Sequence, residues 1–181
     1  MSKKLKILIF PDPKLRTVAK KVDKFDKSLK NLSEDMLFTM YDANGIGLAA
    51  TQVDKHIRLV VMDLSEERNE PMVFVNPEYN VNKDHNLIEF EEGCLSIPGF
   101  NQNITRPDSI ELKWQDLDGI EHTTTPEGML TICIQHEIDH LEGKLMVDYV
   151  SALKRDSCLL YTSPSPRDVE EWGVAACGCK K

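Results

Sequence analysis

The sequence predicts an α+β fold in which mostly antiparallel sheets pack around a central helix. Helical periodicity occurs in two separated stretches, at 28–44 and 126–142, and several short apolar strands lie between them. The strands do not alternate with helices, as they would in the βαβ units of a parallel sheet. With 181 residues, the chain is long enough for one domain with a substantial core and short for two.

The composition argues against several classes of partner. Charged residues make up 29% of the chain, hydrophobic residues 41%, and the formal net charge is −8. Nucleic acids and anionic membranes select basic surfaces, so we expect neither as a partner. The five cysteines are odd in number and unevenly spaced, which favours a reducing compartment over a disulfide framework. We therefore expect a cytoplasmic location, and we also expect a monomer.

The first third of the chain predicts a strand, a helix and another strand. The apolar stretch that Pro11 ends after Phe10 is too short for a signal peptide, and we interpret it as an edge strand. Apolar residues at helical spacing predict a helix over 28–44, which Asn44 and Gly45 end. The run "HIRLVVMDL" at 56–64 is β-branched and apolar, so it predicts a strand.

The middle of the chain predicts further strands and a hairpin. "MVFVNP" and "LIEFEE" are short strand-like runs. Ile110, Leu112 and Trp114 alternate with polar residues, and the turn "DLDG" leads to Ile120. This pattern predicts a hairpin with one buried face. We expect Pro98 and Gly99 to turn the chain away after the run "EEGCLS".

The second predicted helix contains the sequence "HEIDH" at 136–140. Thr125 is the expected N-cap, Pro126 the first helical residue and Gly143 the stop. Apolar residues occupy most of the circumference of this helix, and only Thr131, Gln135, Asp139 and Glu142 form a polar stripe. The helix is therefore predicted to be buried.

Two histidines and a glutamate share one arc of this buried helix. His136 and His140 are four residues apart, so both imidazoles lie on one face together with Glu137. Buried polar groups are costly without partners, and a divalent cation held by the two histidines removes that cost. The alternative is that both are core histidines hydrogen-bonded to the backbone. We favour a central metal-binding helix.

The third metal ligand is predicted upstream of the helix. A zinc peptidase with this motif takes it from downstream, but no histidine follows His140. His56, His85 and His122 lie in polar surroundings and are expected at the surface. Cys94 lies in "EEGCLSIPG" and, as a thiolate, would complete a Cys–His–His set with one open position. Alone, Cys94 would more often be a small buried core residue.

"GIGLAA" at 45–50 also matches a dinucleotide-binding fingerprint, with Asp63 downstream. That fingerprint requires a strand before the glycines and a helix after them. The predicted order here is the reverse, so we reject nucleotide binding.

Three motifs together resemble those of the peptide deformylases. They are "GIGLAATQ" at 45–52, "EGCLS" at 92–96 and "QHEIDHLEG" at 135–143, in the usual order and approximate spacing. The resemblance covers residues from about 5 to 154. It implies a metal-dependent hydrolase that removes the N-formyl group from the formyl-methionine of new peptides and releases formate.

The resemblance also implies a role for individual residues. Cys94, His136 and His140 would hold the metal. Glu137 would move protons, and the Gln52 side chain and the Leu95 backbone N–H would stabilise the oxyanion. Substrate binding is implied for five residues: Ile46, Gly47, Met129, Ile132 and Cys133. Gly47 would pair with the substrate backbone and the others would line the methionine pocket, although plain core packing explains the same periodicity. An ion pair of Glu92 with Arg106 would fix the cysteine loop; a surface salt bridge is the alternative.

The metal and the partners follow partly from the ligands and partly from the resemblance. A Cys–His–His set suits iron(II), zinc, nickel or cobalt. Family behaviour indicates Fe(II). Formyl-methionyl peptides are the expected substrates. Contact with the ribosome through a C-terminal helix is in doubt, because the segment that begins "VSALKRD" is interrupted.

The last 26 residues differ from the rest of the chain. The sequence "TSPSPRD" cannot form a helix interior, and "CGC" is too short and isolated for a zinc site. We expect a catalytic domain at 1–155 and an atypical, disordered or non-native tail at 156–181.

Two other classes of protein remain open at this point. One is an ordinary zinc metallopeptidase, which lacks its downstream ligand here. The other is a non-catalytic peptide-binding module on the same fold, which has no need for a complete set of ligands, base and oxyanion donor.

Overall fold

The predicted α+β architecture is confirmed. The computed structural model describes residues 2–151 and 155, and the expectation for the tail at 156–181 lies outside them. The helices are α1 (Lys27–Asp42) and α2 (Gly128–Leu141). The strands are β1 (Gly47–Ala49), β2 (Leu59–Met62), β3 (Met72–Val81), β4 (Leu87–Cys94), β5 (Ile97–Pro107), β6 (Ile110–Gln115) and β7 (Glu121–Thr124).

Two antiparallel sheets are formed. One has five strands in the order β1-β2-β3-β6-β7, and the other is the hairpin β4-β5. The predicted hairpin of β6 and β7 is present, with Trp114 opposite His122. The long strand β5 was not predicted, and Pro98 and Gly99 lie within it instead of turning the chain away. The turn falls earlier, at Leu95 and Ser96, because Cys94 already pairs with Ile97.

Strand alternation gives the five-stranded sheet two apolar faces, and each face is covered by one helix. Leu48, Leu59 and Val61 pack in one cluster with Met36 and other residues of α1. Their neighbours in the strands pack in a second cluster with α2, and these are Ala49, Val60, Met62 and Phe74. Because side chains alternate along a strand, consecutive residues serve opposite faces. The sheet is therefore buried on both sides at β1 and β2, whereas β7 is largely exposed, and α2 has the five-stranded sheet on one flank.

The N-terminal segment is not the edge strand that its apolar pattern predicts. It makes isolated backbone hydrogen bonds instead: Leu8 N–H donates to Gln52 O and Phe10 N–H to Ser96 O, both at 2.8 Å. Leu8 and Phe10 are buried against the β4-β5 hairpin and residues 145–147. The segment lies between the motifs "GIGLAATQ" and "EGCLS", so its backbone has no continuous strand to pair with. It holds the two motifs together.

The start of α2 was predicted two residues too early. Glu127 is the N-cap with an extended backbone, and Gly128 adopts a positive φ of 57°. A left-handed residue interrupts the helical path, so Pro126 lies outside the helix. Its carbonyl accepts a hydrogen bond from the Thr131 hydroxyl at 2.6 Å. The end was predicted correctly: the helix stops before Gly143, which has a φ of 71°.

The first helix lies within a residue or two of its predicted limits. It begins after Asp26, whose Oδ1 accepts hydrogen bonds from the backbone N–H groups of Ser28 and Leu29. Such a cap satisfies donors that have no partner within the helix. Among the described residues, no helix is long and apolar enough to cross a membrane.

A substitution of Gly143 should separate backbone strain from steric conflict. An added Cβ there would lie 2.5 Å from the backbone oxygen of Arg16, whereas at Gly99, also with positive φ, it would meet nothing within 4 Å. We expect Gly99→Ala to lower the free energy of unfolding by about 1–2 kcal/mol from the left-handed backbone alone. Gly143→Ala should lower it by about 2–4 kcal/mol because the backbone of residue 16 must also shift. Urea denaturation of both variants measures the difference, and equal effects would contradict the steric contribution.

Candidate metal centre and active site

Three buried donor atoms converge where the end of β4 meets α2. Cys94 Sγ lies 3.2 Å from His140 Nε2, and the two Nε2 atoms of His136 and His140 are also 3.2 Å apart. All three donor atoms lie within 4.8 Å of one another. Donors bound to one ion at about 2.0–2.3 Å in a tetrahedron are separated by about 3.4–3.7 Å. One sulfur and two imidazole nitrogens at this spacing fit a single transition-metal ion.

Glu92 orients His136 toward this centre. Its Oε2 lies 2.8 Å from His136 Nδ1, which leaves Nε2 facing Cys94 and His140. A carboxylate on the outer nitrogen of a metal-ligating histidine is a common arrangement, and it fixes the ring and its tautomer. Glu92 in turn forms a bidentate ion pair with Arg106, and both side chains are about 3% exposed. The pair is buried and is not a surface salt bridge.

The two histidines have opposite electrostatic preferences. Burial lowers the pKa of His140 well below its usual value, and the neighbouring His136 lowers it further. For His136, burial alone would lower the pKa, but hydrogen bonds to Cys94 and Glu92 outweigh burial and raise the pKa well above its usual value. Burial therefore keeps the His140 ring neutral, which is the form in which an imidazole binds a metal ion.

The polar stripe of α2 faces the β4-β5 hairpin and is largely buried. Asp139 Oδ2 accepts hydrogen bonds from Arg106 Nη1 at 2.9 Å and from the Tyr149 hydroxyl at 2.8 Å. The Tyr149 ring also lies beside the Arg106 guanidinium, 5.3 Å from centroid to Cζ. Gln135 donates to Pro107 O at 3.0 Å. The buried carboxylate of Asp139 therefore has both an ionic and a hydrogen-bonded partner. Asp139 and Tyr149 were not predicted as part of the site.

Glu137 lies beside the donor cluster without being one of its members. Its side chain packs over Gly47, where an added Cβ would lie 2.5 Å from Glu137 Oε1. Only a residue without a side chain admits the carboxylate at this distance. Burial is the main cause that raises the pKa of Glu137 to about 7; the nearby His136 lowers it and Glu92 raises it. Its Oε2 is buried and has no hydrogen-bond partner among the residues that the structure describes. The carboxyl group is therefore poised to exchange a proton near neutral pH.

Gln52 reaches the same centre from the short 3-10 helix Ala50–Val53. It is 2% exposed, its Nε2 lies 3.6 Å from Cys94 Sγ, and its Oε1 accepts from Ala49 N–H at 2.9 Å. Leu95 follows Cys94 in the turn between β4 and β5, and its side chain contacts the position of Gly45. The motifs "GIGLAATQ" and "EGCLS" thus meet at the sulfur atom.

Three of the residues predicted to bind substrate belong to or pack against the apolar cluster between α2 and the five-stranded sheet. Cys133 is buried in the apolar cluster between α2 and the five-stranded sheet, and Ile46 and Met129 pack against that cluster. Ile132 is 3% exposed on the same helix. Gly47 begins β1, the terminal strand of the five-stranded sheet. Ile46, Gly47 and α2 therefore border the donor cluster on one side.

The other histidines do not take part. His56 contacts Asp54, His85 contacts Asn82 O, and His122 contacts Asp116, all through ring nitrogens. The order predicted around "GIGLAA" is also found, with α1 before the motif and strands after it. This arrangement agrees with the rejection of a dinucleotide site.

The fold and the site together define a class of protein. Three buried ligands, an adjacent buried carboxyl group and a buried amide are the parts of a single-metal hydrolase. Residues 4–156 match the family model described as polypeptide deformylase.

Relatives named peptide deformylase agree with this match. The one from Stutzerimonas stutzeri is 57% identical over 152 residues, covering 84% of this chain and 90% of the relative. The one from Pseudomonas aeruginosa is 55% identical with the same coverage. Among solved structures, a peptide deformylase from Legionella pneumophila superposes with a TM-score of 0.83 at 46% identity, covering 88% of this chain and 93% of that one. A peptide deformylase from Ehrlichia chaffeensis, in complex with actinonin, has a TM-score of 0.82 at 37% identity, covering 88% and 95%.

The chain belongs to the peptide deformylase family. Members of this family are metal-dependent hydrolases of protein biosynthesis that remove N-formyl groups from nascent peptides, and this chain is an enzyme of that kind.

Metal binding should depend on one of the two described cysteines and not on the other. We expect the wild-type chain to bind one divalent ion and Cys94→Ala to lose high-affinity binding, because two ligands remain. Cys133→Ala is the matched control: Cys133 is also buried, on the same helix as the histidines, but is not a donor. Cobalt absorption titrations of the three proteins test this. Equal binding by wild type and Cys94→Ala would rule out the proposed ligand set.

The buried Arg106 network should contribute strongly to stability. Arg106→Leu leaves Glu92 and Asp139 without their cation, and we expect a loss of about 3–5 kcal/mol in the free energy of unfolding. The control is Lys30→Ala, which removes an ion pair with Asp118 that is largely exposed. Such surface pairs contribute about 0–1 kcal/mol. Denaturant unfolding of both variants at neutral pH provides the comparison, and similar losses would contradict a special role for the buried network.

Proposed function

We propose that this chain hydrolyses the N-terminal formyl amide of formyl-methionyl peptides with Cys94, His136 and His140 as metal ligands and Glu137 as the proton-transfer group. The observation that carries the proposal is the position of Glu137. Its carboxyl group is buried next to the two histidines, is not one of the converging donors, and has a pKa raised to about 7. A group of this kind can accept a proton from water and later donate it.

The free edge of the five-stranded sheet is the proposed peptide-binding surface. The first strand, β1, pairs only with β2 in the part of the chain that the structure describes. An extended peptide can add to such an edge through backbone hydrogen bonds, and Gly47 begins that edge. The methionine side chain would then lie against Ile46, Met129, Ile132 and Cys133. Cys133 belongs to the apolar cluster between α2 and the sheet, Ile46 and Met129 pack against that cluster, and Ile132 is buried on the helix that carries both histidines.

Glu137, Gln52 and Leu95 each have a defined task in the proposed reaction. A divalent ion held by the three ligands would acidify water and polarise the formyl carbonyl. Glu137 takes the proton from the attacking water at its carboxylate and delivers it to the amine nitrogen as the C–N bond breaks. The products are formate and a free amino terminus. The Gln52 side-chain amide and the Leu95 backbone N–H donate to the oxygen of the tetrahedral centre, where negative charge develops.

The proposed metal is Fe(II), and zinc, nickel and cobalt suit the same ligands. A thiolate with two imidazoles selects transition metals over magnesium or calcium, which prefer oxygen ligands. We further propose that the enzyme works as a monomer in the cytoplasm, where nascent formylated peptides leave the ribosome. The segment that would carry a C-terminal helix for ribosome contact lies mostly outside the described residues, and ribosome contact forms no part of the proposed function.

The decisive experiment is formate release from a formyl-Met tripeptide by protein loaded anaerobically with Fe(II). We expect rapid formate release by wild type, and no cleavage of the unformylated tripeptide. Glu137→Gln should lower kcat by about 100- to 10,000-fold, because general acid–base catalysis is lost, while one metal ion remains bound. Cleavage of the unformylated peptide would favour a metallopeptidase, and a metal-loaded protein that releases no formate would favour a binding module.

A second carboxylate on the same helix serves as control. Glu142 is the C-cap residue of α2, is partly exposed and pairs with Arg58 away from the donors. Glu142→Gln should keep kcat within about twofold of wild type, since it removes a charge without touching the site. If both glutamine variants lose activity equally, the role of Glu137 as the proton-transfer group is wrong.

A further inference from the structure

Ser96 is buried beside the proposed oxyanion donor and has no role assigned by the chemistry above. It is 0% exposed and lies in the two-residue turn between β4 and β5. Its hydroxyl oxygen accepts a hydrogen bond from Gln52 Nε2 at 3.1 Å. A hydroxyl group that is fully buried requires a hydrogen-bond partner. The partner of Ser96 is Gln52, the side chain proposed to donate to the oxyanion.

The contacts of the Gln52 side-chain amide determine which of its two terminal atoms is the oxygen and which is the nitrogen. Ala49 N–H can only donate, so the atom 2.9 Å from it must be the amide oxygen. The nitrogen then faces Ser96 Oγ at 3.1 Å and Cys94 Sγ at 3.6 Å. One of its two N–H groups donates to Ser96 Oγ, and the other donates to Cys94 Sγ, on the side of the donor cluster. A flipped amide would place its oxygen against a thiolate and leave Ala49 N–H without this acceptor.

The backbones that carry the two side chains are held in register by the N-terminal segment. Leu8 N–H binds the carbonyl of Gln52, and Phe10 N–H binds the carbonyl of Ser96, each at 2.8 Å. Gln52 comes from the 3-10 helix after β1, and Ser96 comes from the hairpin. The distance between their side chains therefore depends on a third piece of chain that contacts both.

From these contacts we propose that Ser96 is a positioning residue for the oxyanion donor. Its hydroxyl holds one N–H of Gln52 so that the second N–H, which lies against Cys94 Sγ, stays directed at the donor cluster, where the formyl oxygen develops charge. The inference rests on the proposed function of Gln52. A donor fixed before the reaction stabilises the transition state without reorganisation, so the loss of Ser96 affects kcat more than KM.

The experiment is a double-mutant cycle of Ser96→Ala and Gln52→Ala, measured on the Fe(II)-loaded enzyme with a formyl-Met tripeptide. Gln52→Ala should lower kcat by about 100-fold, the usual cost of one oxyanion donor. Ser96→Ala should lower kcat by about 10-fold, with KM and bound metal within about twofold of wild type. In the Gln52→Ala background, Ser96→Ala should change kcat by less than about twofold, because the group through which it acts is gone.

A merely structural role predicts a different result. In that case Ser96→Ala would lower kcat by the same factor in both backgrounds, or would leave kcat unchanged and lower only stability, and either outcome would overturn the proposal. Ser33→Ala is the matched control, since Ser33 is 1% exposed and its hydroxyl donates to Lys30 O within α1. It should leave kcat unchanged in both backgrounds.

Two further outcomes are distinguishable. If Ser96→Ala does not fold, Ser96→Cys keeps nearly the same volume with a much weaker acceptor, and the same cycle is measured with it. A loss of kcat that disappears in the Gln52→Ala background supports the proposal, and an additive loss overturns it. If the wild-type enzyme releases no formate, the proposed function itself fails, whatever the serine variants do.

Discussion

The burial of charged and polar side chains along α2 is the constraint on which the rest of the structure depends. His136, Glu137, Asp139 and His140 are all buried in a helix with sheet or hairpin on each side. Groups of this kind are stable in an interior only when each has a counter-charge or a hydrogen bond. The β4-β5 hairpin supplies Glu92, Arg106 and Cys94 for this purpose. The small sheet is therefore as much an electrostatic partner of the helix as a packing partner.

The arrangement of the residues at the candidate site follows from this pairing of buried charged groups between α2 and the β4-β5 hairpin. Arg106 forms ion pairs with both Glu92 and Asp139, and Glu92 orients His136. Among the described residues of α2, Gln135 Oε1, Glu137 Oε2 and His140 Nδ1 are buried without a hydrogen-bond partner, and the Glu137 carboxyl group occupies the space that Gly47 leaves open. Native structures tolerate few such groups, and those that occur often mark chemistry. Among the described residues, the carboxyl group with a buried unpartnered oxygen is thus the one beside the three converging donors.

Sequence reasoning succeeded where local pattern decides structure and failed where distant segments compete. The helices, the strand at β2 and the β6-β7 hairpin follow from periodicity and turn residues. The strand predicted before Pro11 was wrong because its backbone is used by Gln52 and Ser96 and not by a neighbouring strand. Strand β5 was missed because its residues are mostly polar and alternate weakly, and its pairing with β4 depends on a turn at Leu95 and Ser96.

The sequence by itself determined the α+β class, the helix with both histidines and Glu137 on one arc, and the choice of Cys94 as third donor. The first two depend on residue type and on spacing along the chain, which a chain carries before it folds. The choice of Cys94 rests on the lack of a downstream ligand and on the motif resemblance. Only the tertiary structure decided that the polar stripe of α2 is buried, that Asp139 and Tyr149 join the Arg106 network, and that Ser96 meets Gln52. Those contacts join residues far apart in the chain, and no local periodicity encodes which distant partner a buried polar group will find.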